Sequence, residues 1–108
     1  MANIDSIFKS IEDQTKALAE KLFKQYTQQA VNDVKDFLQK SKEDLKRWVE
    51  EAARGEIDKD EFESLVKGQL DVAEMRALKQ AGLAAVQIEA FTNGVLDIVV
   101  SAAFAAIP

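Results

Sequence analysis

The stretch LAAVQIEAFTNGVLDIVVSAAFAAI, from Leu83 to Ile107, decides the fold of this chain. Eighteen of its 25 residues are apolar, it contains no Lys or Arg, and its only charged residues are Glu89 and Asp97. The chain before it is charged, and its apolar residues recur three or four positions apart, which is helical spacing. This distribution predicts a hydrophobic centre at the C-terminus, covered by amphipathic helices from the first three quarters.

The composition limits both the fold and the chemistry. A chain of 108 residues has the size of one domain, here 1–108. Cys and His are absent, which removes disulfides, thiol nucleophiles, the commonest general base and the commonest transition-metal ligands. Four Gly and one Pro provide few chain breaks, so long helices are expected. We expect no metal and no cofactor.

The charges are unevenly distributed along the chain. Residues 1–79 hold all 14 basic and 17 of the 19 acidic residues, and the net charge is −5. Nucleic acid is not expected as a partner, because binding to its backbone needs clustered Lys and Arg. The first residues lack the basic and apolar regions of a secretory signal, and together with the absence of Cys this favours a cytoplasmic location.

The region 1–54 is predicted to be a long amphipathic helical region. No Gly or Pro occurs from Asn3 to Arg54, and Asn3 is a suitable N-cap. Ser41 is the best internal break, because its hydroxyl can cap a new helix with Asp44 in the capping-box position. This predicts helices over about 4–40 and 42–54, and one helix continuing through Ser41 is the alternative. At 1.5 Å per residue the first helix would span ~55 Å and would extend beyond a compact domain of this size. Its apolar seam would then need a partner.

The segment 55–58 is predicted to be a capped turn. Gly55 suits the left-handed position after a helix, and Asp58 with Glu61 forms a capping box for the next helix. Ile57 and Phe62 occupy the positions of a hydrophobic staple. A third helix over 59–81 follows, and Gly68 within it is predicted to mark a close approach of two helices.

The region 82–108 is predicted to be the apolar helical core or interface. Asn93-Gly94 is a turn signal, so we expect two helices here, over about 83–92 and 95–106. The predicted fold is therefore all-α, a bundle of four to five helices with a long N-terminal amphipathic helix and an apolar C-terminal core.

The Gly55 junction also matches the second half of an EF-hand loop in the segment GEIDKDEF. Counting back places Glu50, Ala52 and Arg54 at loop positions 1, 3 and 5, which should supply side-chain oxygens to calcium. Two of these three residues supply a methyl group and a cation instead. The segment therefore predicts a structural turn rather than a calcium site.

The acidic residues of the apolar stretch do not predict catalysis. Glu89 and Asp97 lie eight residues apart, which is ~12 Å along a helix and too far for two carboxylates to share a proton. Each is expected to cap a helix, face solvent or pair with a basic residue. An enzyme of this composition would need a polar cleft with convergent ionisable groups, and the sequence indicates none.

Insertion into a membrane is the main alternative interpretation of the C-terminal stretch. Twenty-five largely apolar residues are long enough to cross a bilayer core of ~30 Å. An acidic residue at its centre would cost about 2.5–3.5 kcal/mol, and seven Ala favour close helix packing over lipid exposure. A buried core or a dimer interface is the favoured interpretation.

Together these patterns predict a non-catalytic scaffold or adaptor for protein–protein interaction. The expected assembly is a homodimer, with a helical protein as a further possible partner. A protein that coats a membrane, lipid or granule surface is the alternative, and a small enzyme or a degenerate EF-hand-like calcium module is a weaker one. The candidate interface consists of apolar residues from the two ends of the chain: Ile4, Phe8, Ile11, Leu18, Leu22, Val95, Val99 and Phe104.

Overall fold

A computed structural model describes residues 3–107 as an all-α bundle with no strand in that range. The predicted fold class is confirmed, including a long N-terminal helix and an apolar C-terminal helix. The described range contains six helices rather than four or five, and the last of them is covered by the first and the fourth. The helices are α1 Ile4–Phe23, α2 Thr27–Lys40, α3 Lys42–Ala53, α4 Lys59–Val72, α5 Arg76–Gln80 and α6 Ala85–Ala106.

The helix predicted over 4–40 is wrong in its length, because it is divided into α1 and α2. Lys24 adopts a left-handed φ of 53° and ends α1, and α2 packs back along α1 after a three-residue connection. Folding back buries the two apolar seams against each other, and the longest dimension of the molecule is only 42 Å. The length of the first helix therefore gives no reason to expect a partner.

Ser41 separates α2 from α3, as predicted, but its hydroxyl is not the cap. The Ser41 backbone has φ −101° and ψ 5°, and its side chain makes no capping hydrogen bond. Its N–H instead donates to the carbonyl oxygen of Phe37 at 3.0 Å, which closes the last turn of α2. Ser41 is thus a buried bend between two helices.

The capped junction between α3 and α4 is confirmed. Gly55 has a φ of 75°. Asp58 Oδ1 accepts from the Glu61 N–H at 2.8 Å, and Glu61 Oε1 accepts from the Asp58 N–H at 3.2 Å. Phe62 is buried and Ile57 packs partly buried against the core. The junction turns α4 back along α3, where Gln69 Nε2 donates to Asp44 Oδ2 at 3.1 Å.

The helix predicted over 59–81 is also interrupted. α4 ends at Val72, Met75 adopts a left-handed φ of 41°, and the short helix α5 begins at Arg76. Gly82, with a φ of 91°, then ends α5 and leads into α6. The interruption at 73–75 is held by Asp33 of α2, which accepts hydrogen bonds from the first N–H groups of α5.

The break predicted at Asn93-Gly94 is wrong, since α6 is one helix of 22 residues. Gly94 faces α1 instead of forming a turn. A Cβ atom at this position would lie only 2.6 Å from Leu18 Cδ2 of α1. The close helix approach predicted at Gly68 is likewise wrong, because a Cβ atom added to Gly68 would meet nothing within 4 Å. Gly94, not Gly68, lies against another helix.

The core forms where α1 and α4 cover α6. Phe23 and Phe91 pack with ring centroids 5.5 Å apart, and Phe62 and Phe104 form an edge-to-face pair at 5.4 Å. Such aromatic pairs contribute about 0.5–1.5 kcal/mol beyond the area that they bury. The C-terminal two thirds of α6 are therefore the centre of the fold, as the sequence predicts.

We predict that Val99→Asp unfolds the protein or lowers its free energy of unfolding by more than about 3 kcal/mol. Val99 is 1% exposed, so the substitution places an unpaired charge in the core. Urea unfolding followed by circular dichroism measures the effect. Ser101→Asp is the control, because Ser101 is exposed on the same helix. Native stability of Val99→Asp would contradict the position of the core.

We predict opposite effects at the two helical glycines. Gly68→Ala should raise the free energy of unfolding by about 0.5–1 kcal/mol, because Ala favours the helix and the added methyl group meets open space. Gly94→Val should lower it by up to about 1 kcal/mol, because the branched side chain must displace the end of the partly buried Leu18 side chain. Thermal and urea unfolding give both values. If Gly94→Val had a higher free energy of unfolding than Gly68→Ala, the position of the α1–α6 contact would be wrong.

Candidate functional site

Two concave surfaces lie on opposite sides of the α4–α5 linker, residues 73–75. The first, here called the polar cleft, has a volume of about 220 Å³. The second, here called the α4–α6 groove, has a volume of about 760 Å³. Ala73, Glu74 and Met75 line both. The geometry of this linker therefore shapes both surfaces.

A buried carboxylate on α2 holds the linker in place. Asp33 Oδ1 accepts from the Ala77 N–H and Asp33 Oδ2 from the Leu78 N–H, each at 2.9 Å. The first N–H groups of a helix have no partner within the helix, and a carboxylate is a favourable acceptor for them. Asp33 thus caps α5 from a position 44 residues before Ala77 in the sequence.

Met75 is the strained residue of the linker. Its left-handed φ of 41° costs a non-glycine residue about 1–2 kcal/mol, and its side chain is only 5% exposed. This conformation is held by the burial of Met75 and Leu78 and by the two hydrogen bonds that Asp33 accepts from α5. The strain is offset by tertiary contacts that the local sequence does not reveal.

The charges of the polar cleft pair with groups of the same chain. Lys40 Nζ lies 3.0 Å from Asp36 Oδ2, and Arg76 Nε lies 2.6 Å from Glu74 Oε2. The hydrogen bond and the charge of Arg76 lower the pKa of Glu74, and those of Glu74 raise the pKa of Arg76. Asp33 uses both oxygens on backbone amides. Ionisable groups do converge here, but each has its partner, so the cleft resembles a surface ion-pair cluster more than a catalytic centre.

The α4–α6 groove is lined by apolar and charged residues, and its surface is more polar than apolar. The apolar residues come from α4, the linker and α6, namely Leu70, Ala73, Met75, Leu83 and Ile88, of which Leu70 and Met75 are buried. The rim carries both signs of charge, from Lys67, Asp71, Glu74, Lys79 and Glu89. Apart from Glu74, none of these rim residues forms an ion pair within residues 3–107. The groove therefore offers apolar area and unengaged charges together.

The first residues of α6 are exposed, although Ile88 and Phe91 in the next turn pack against the core. Ala84, Ala85, Val86 and Gln87 are exposed, and Val86 is 76% exposed. Gln87 Oε1 accepts from the Ala84 N–H at 3.0 Å and caps this end of the helix. Only 39% of the most apolar 18-residue window of α6 is buried. An apolar helix end thus stands beside the groove.

By length and composition alone, α6 is one helix within 3–107 that could cross a membrane. Its exposed face, however, carries Glu89, Asn93, Asp97 and Ser101 at four-residue intervals. Both acidic residues face solvent, which is one of the outcomes expected from the sequence. This polar stripe distinguishes the outer face of α6 from its buried face.

The structure places most of the candidate interface inside one chain. Phe8, Ile11, Val95 and Val99 are buried in the core, where α1 and α6 face each other. Ile4, Leu18 and Phe104 are partly buried against that core, whereas Leu22 is 42% exposed. Participation of these residues in a dimer stays a prediction. The sequence analysis did not identify Val86 or the groove. Leu83, Val86 and Ala90 are apolar and lie three or four positions apart, and this helical spacing was the signal for an apolar helix face.

The EF-hand-like junction shows what its side chains do instead. Arg54 pairs with Glu56, with Nε 3.0 Å from Oε2, and this hydrogen-bonded pairing lowers the pKa of Glu56. No group of three or more Asp, Glu, His or Cys residues suited to a metal ion occurs within the described range 3–107. The junction is a capped turn closed by a local ion pair.

The fold and its surfaces define a small all-α bundle with an open groove of mixed polarity beside the exposed start of α6. Searches of protein-family models, of curated proteins and of solved structures found no match to the chain.

We predict that Asp33→Ala lowers the free energy of unfolding by about 2–3 kcal/mol, because it leaves two N–H groups of α5 without an acceptor. Asp33→Asn should retain one acceptor and cost less. Asp36→Ala, which removes an exposed ion pair on the same helix, is the control and should cost less than about 1 kcal/mol. Hydrogen exchange at Ala77 and Leu78 should accelerate in Asp33→Ala; unchanged protection would contradict the cap.

Proposed function

We propose that this protein is a non-catalytic helical scaffold or adaptor that acts through self-association. The observation that carries the proposal is the α4–α6 groove beside the uncovered start of α6. Val86 is a large apolar side chain that is 76% exposed beside this groove, and apolar side chains exposed next to a concave surface are a feature of interaction sites.

The shape and chemistry of the groove favour a protein occupant. Its volume of about 760 Å³ is in the range of binding sites, and its apolar residues lie along two helices. Recognition of a helix in a groove uses apolar anchors at the floor and polar contacts at the rim. The charges of both signs around Leu70 and Ile88 match that pattern.

A surface-coating role is the second candidate, and the mean hydropathy of 1.4 over the α6 window favours it. Insertion of α6 into lipid would expose Glu89 and Asp97 to the hydrocarbon, at about 2.5–3.5 kcal/mol for an acidic residue at the centre. It would also remove α6 from its packing with α1 and α4. These two costs favour contact with another protein over contact with lipid.

Catalysis is the weakest candidate. Without His and Cys, the polar cleft would have to use Asp33, Asp36, Lys40, Glu74 and Arg76. Asp33 is occupied by backbone amides, and the other four form two ion pairs. A general base or nucleophile needs a group that is free to exchange a proton or attack a substrate.

Light scattering across about a hundredfold dilution, with and without phosphatidylcholine liposomes, tests the proposal. We expect a discrete species of twice the 12.0 kDa chain mass that does not bind the liposomes. Burial of the groove in the dimer is the physical reason for both results. The circular dichroism spectrum should stay unchanged when liposomes are added.

Two results would contradict the proposal. If the protein is a monomer at every concentration, it does not self-associate and the proposal is wrong. Transfer of the protein to the liposomes, with a gain in helical signal, would make surface coating the leading function.

A further inference from the structure

We infer that residues 73–82, here called the strap, open as one unit while the helices around them stay folded, and that this opening joins the polar cleft to the α4–α6 groove. The strap consists of the α4–α5 linker, α5 and the turn that ends at Gly82. Its opening is a movement within one chain, so the inference goes beyond self-association and does not rest on it. The ends of the strap, its attachment to α2 and its position between two concave surfaces support it.

Both ends of α5 have a left-handed backbone. Met75 precedes the helix with a φ of 41°, and Gly82 follows it with a φ of 91°. This conformation is unfavourable for Met75, and the strain is relieved once the segment is free to change its backbone. Gly82 adopts its φ without strain and gains more freedom on release than any other residue type would. The strap therefore has a hinge at each end, and opening is favoured at both.

Few contacts hold the strap closed. α5 packs mainly against α2, where Asp33 accepts hydrogen bonds from the Ala77 and Leu78 N–H groups, each at 2.9 Å. The other hydrogen bonds of α5 in the described part of the chain join residues close together in the sequence. Met75 and Leu78 are the two buried side chains of the strap, at 5% and 0% exposure. Segments with few buried apolar contacts open at a lower free energy than a core does.

The core is held by interfaces that do not include the strap. α1 packs along α2 and α6, and α4 packs on α6. Phe91 and Val99 of α6 are 0% and 1% exposed in this core. Release of α5 from α2 leaves these interfaces in place, so the strap can open without unfolding of the bundle.

The strap also separates the two concave surfaces. Residues 73–75 line both the polar cleft and the α4–α6 groove, so they form the wall between them. When the strap opens, this wall moves away, and Phe37 of the cleft and Ile88 of the groove border one larger surface. Met75 and Leu78 are then exposed as well. The strap thus controls how much apolar surface the folded protein presents.

Native-state hydrogen exchange tests whether the strap opens separately from the core. At urea concentrations below the unfolding transition, the Ala77 and Leu78 amides should exchange faster than those of Phe91 and Val99. Their exchange should also depend less on urea, because opening exposes less surface than unfolding. If all four amides exchange at one rate with one urea dependence, the strap opens only when the protein unfolds, and the inference is overturned.

Two glycines provide a matched pair of variants. Gly82 and Gly55 both have a positive φ, and a Cβ atom added to either meets nothing within 4 Å, so Ala at each position adds backbone strain without a clash. Gly82→Ala should accelerate exchange at Ala77 and Leu78 at least about fivefold, because opening relieves the strain. Gly55→Ala should leave these two amides unchanged, since its strain persists while the strap is open. Equal effects of the two variants would overturn the inference.

Oxidation of Met75 by hydrogen peroxide gives a second measure of opening. The thioether sulfur takes one oxygen atom from the peroxide, which leaves as water, and the buried sulfur is reached when the strap opens. Asp33→Ala should raise the rate of sulfoxide formation at Met75 at least about tenfold, as measured by mass spectrometry, because the two bonds that hold α5 are lost.

Gly55→Ala is the control for the oxidation experiment, because it lowers the stability of the fold away from the strap and should leave the oxidation rate unchanged. Circular dichroism should show the wild-type helix content for both variants. If Asp33→Ala does not fold, Gly82→Ala takes its place and should raise the rate at least about fivefold. Oxidation of Met75 at the wild-type rate in these strap variants would overturn the inference and leave the proposed self-association untouched.

Discussion

The packing of α1 along α6 is the contact on which the rest of the structure depends. It buries Phe8 and Ile11 of α1 and Val95 and Val99 of α6, and Leu18 lies beside Gly94. α2 folds back on α1, and this brings Asp33 within reach of α5. The contact between the first and last helices thus affects the far side of the molecule through α2.

The shape of the candidate site follows from the position of α2. Asp33 binds two N–H groups of α5 and holds the linker, in which Met75 has a left-handed backbone and a buried side chain. Without this cap, the strain at Met75 would favour a longer and straighter α4. The groove exists because the chain turns at 73–75 before it enters α6. The same linker therefore shapes the polar cleft on the α2 side and the groove on the α6 side.

The function that we propose follows from an incomplete covering of α6. Its C-terminal part is enclosed by α1 and α4, whereas its first residues, including Val86, are exposed beside the groove. The polar stripe of Glu89 and Asp97 opposes lipid as the missing cover, and the mixed charges of the rim favour a partner with equally mixed charges.

The sequence by itself determined the all-α class, the apolar C-terminal core, the boundary at Ser41 and the capped junction from Gly55 to Asp58, because these depend on periodicity and on residues close together in the chain. Only the tertiary structure decided the break at 73–75, since its cap comes from Asp33, 44 residues away from Ala77. The uninterrupted course of α6 through Gly94 also appears only in the tertiary structure, where α1 packs along this part of the helix. The groove could not be predicted for this reason. An apolar position shows that a residue prefers to be covered, but only packing determines whether its own chain covers it, as with Phe8 and Val95, or leaves it exposed, as with Val86.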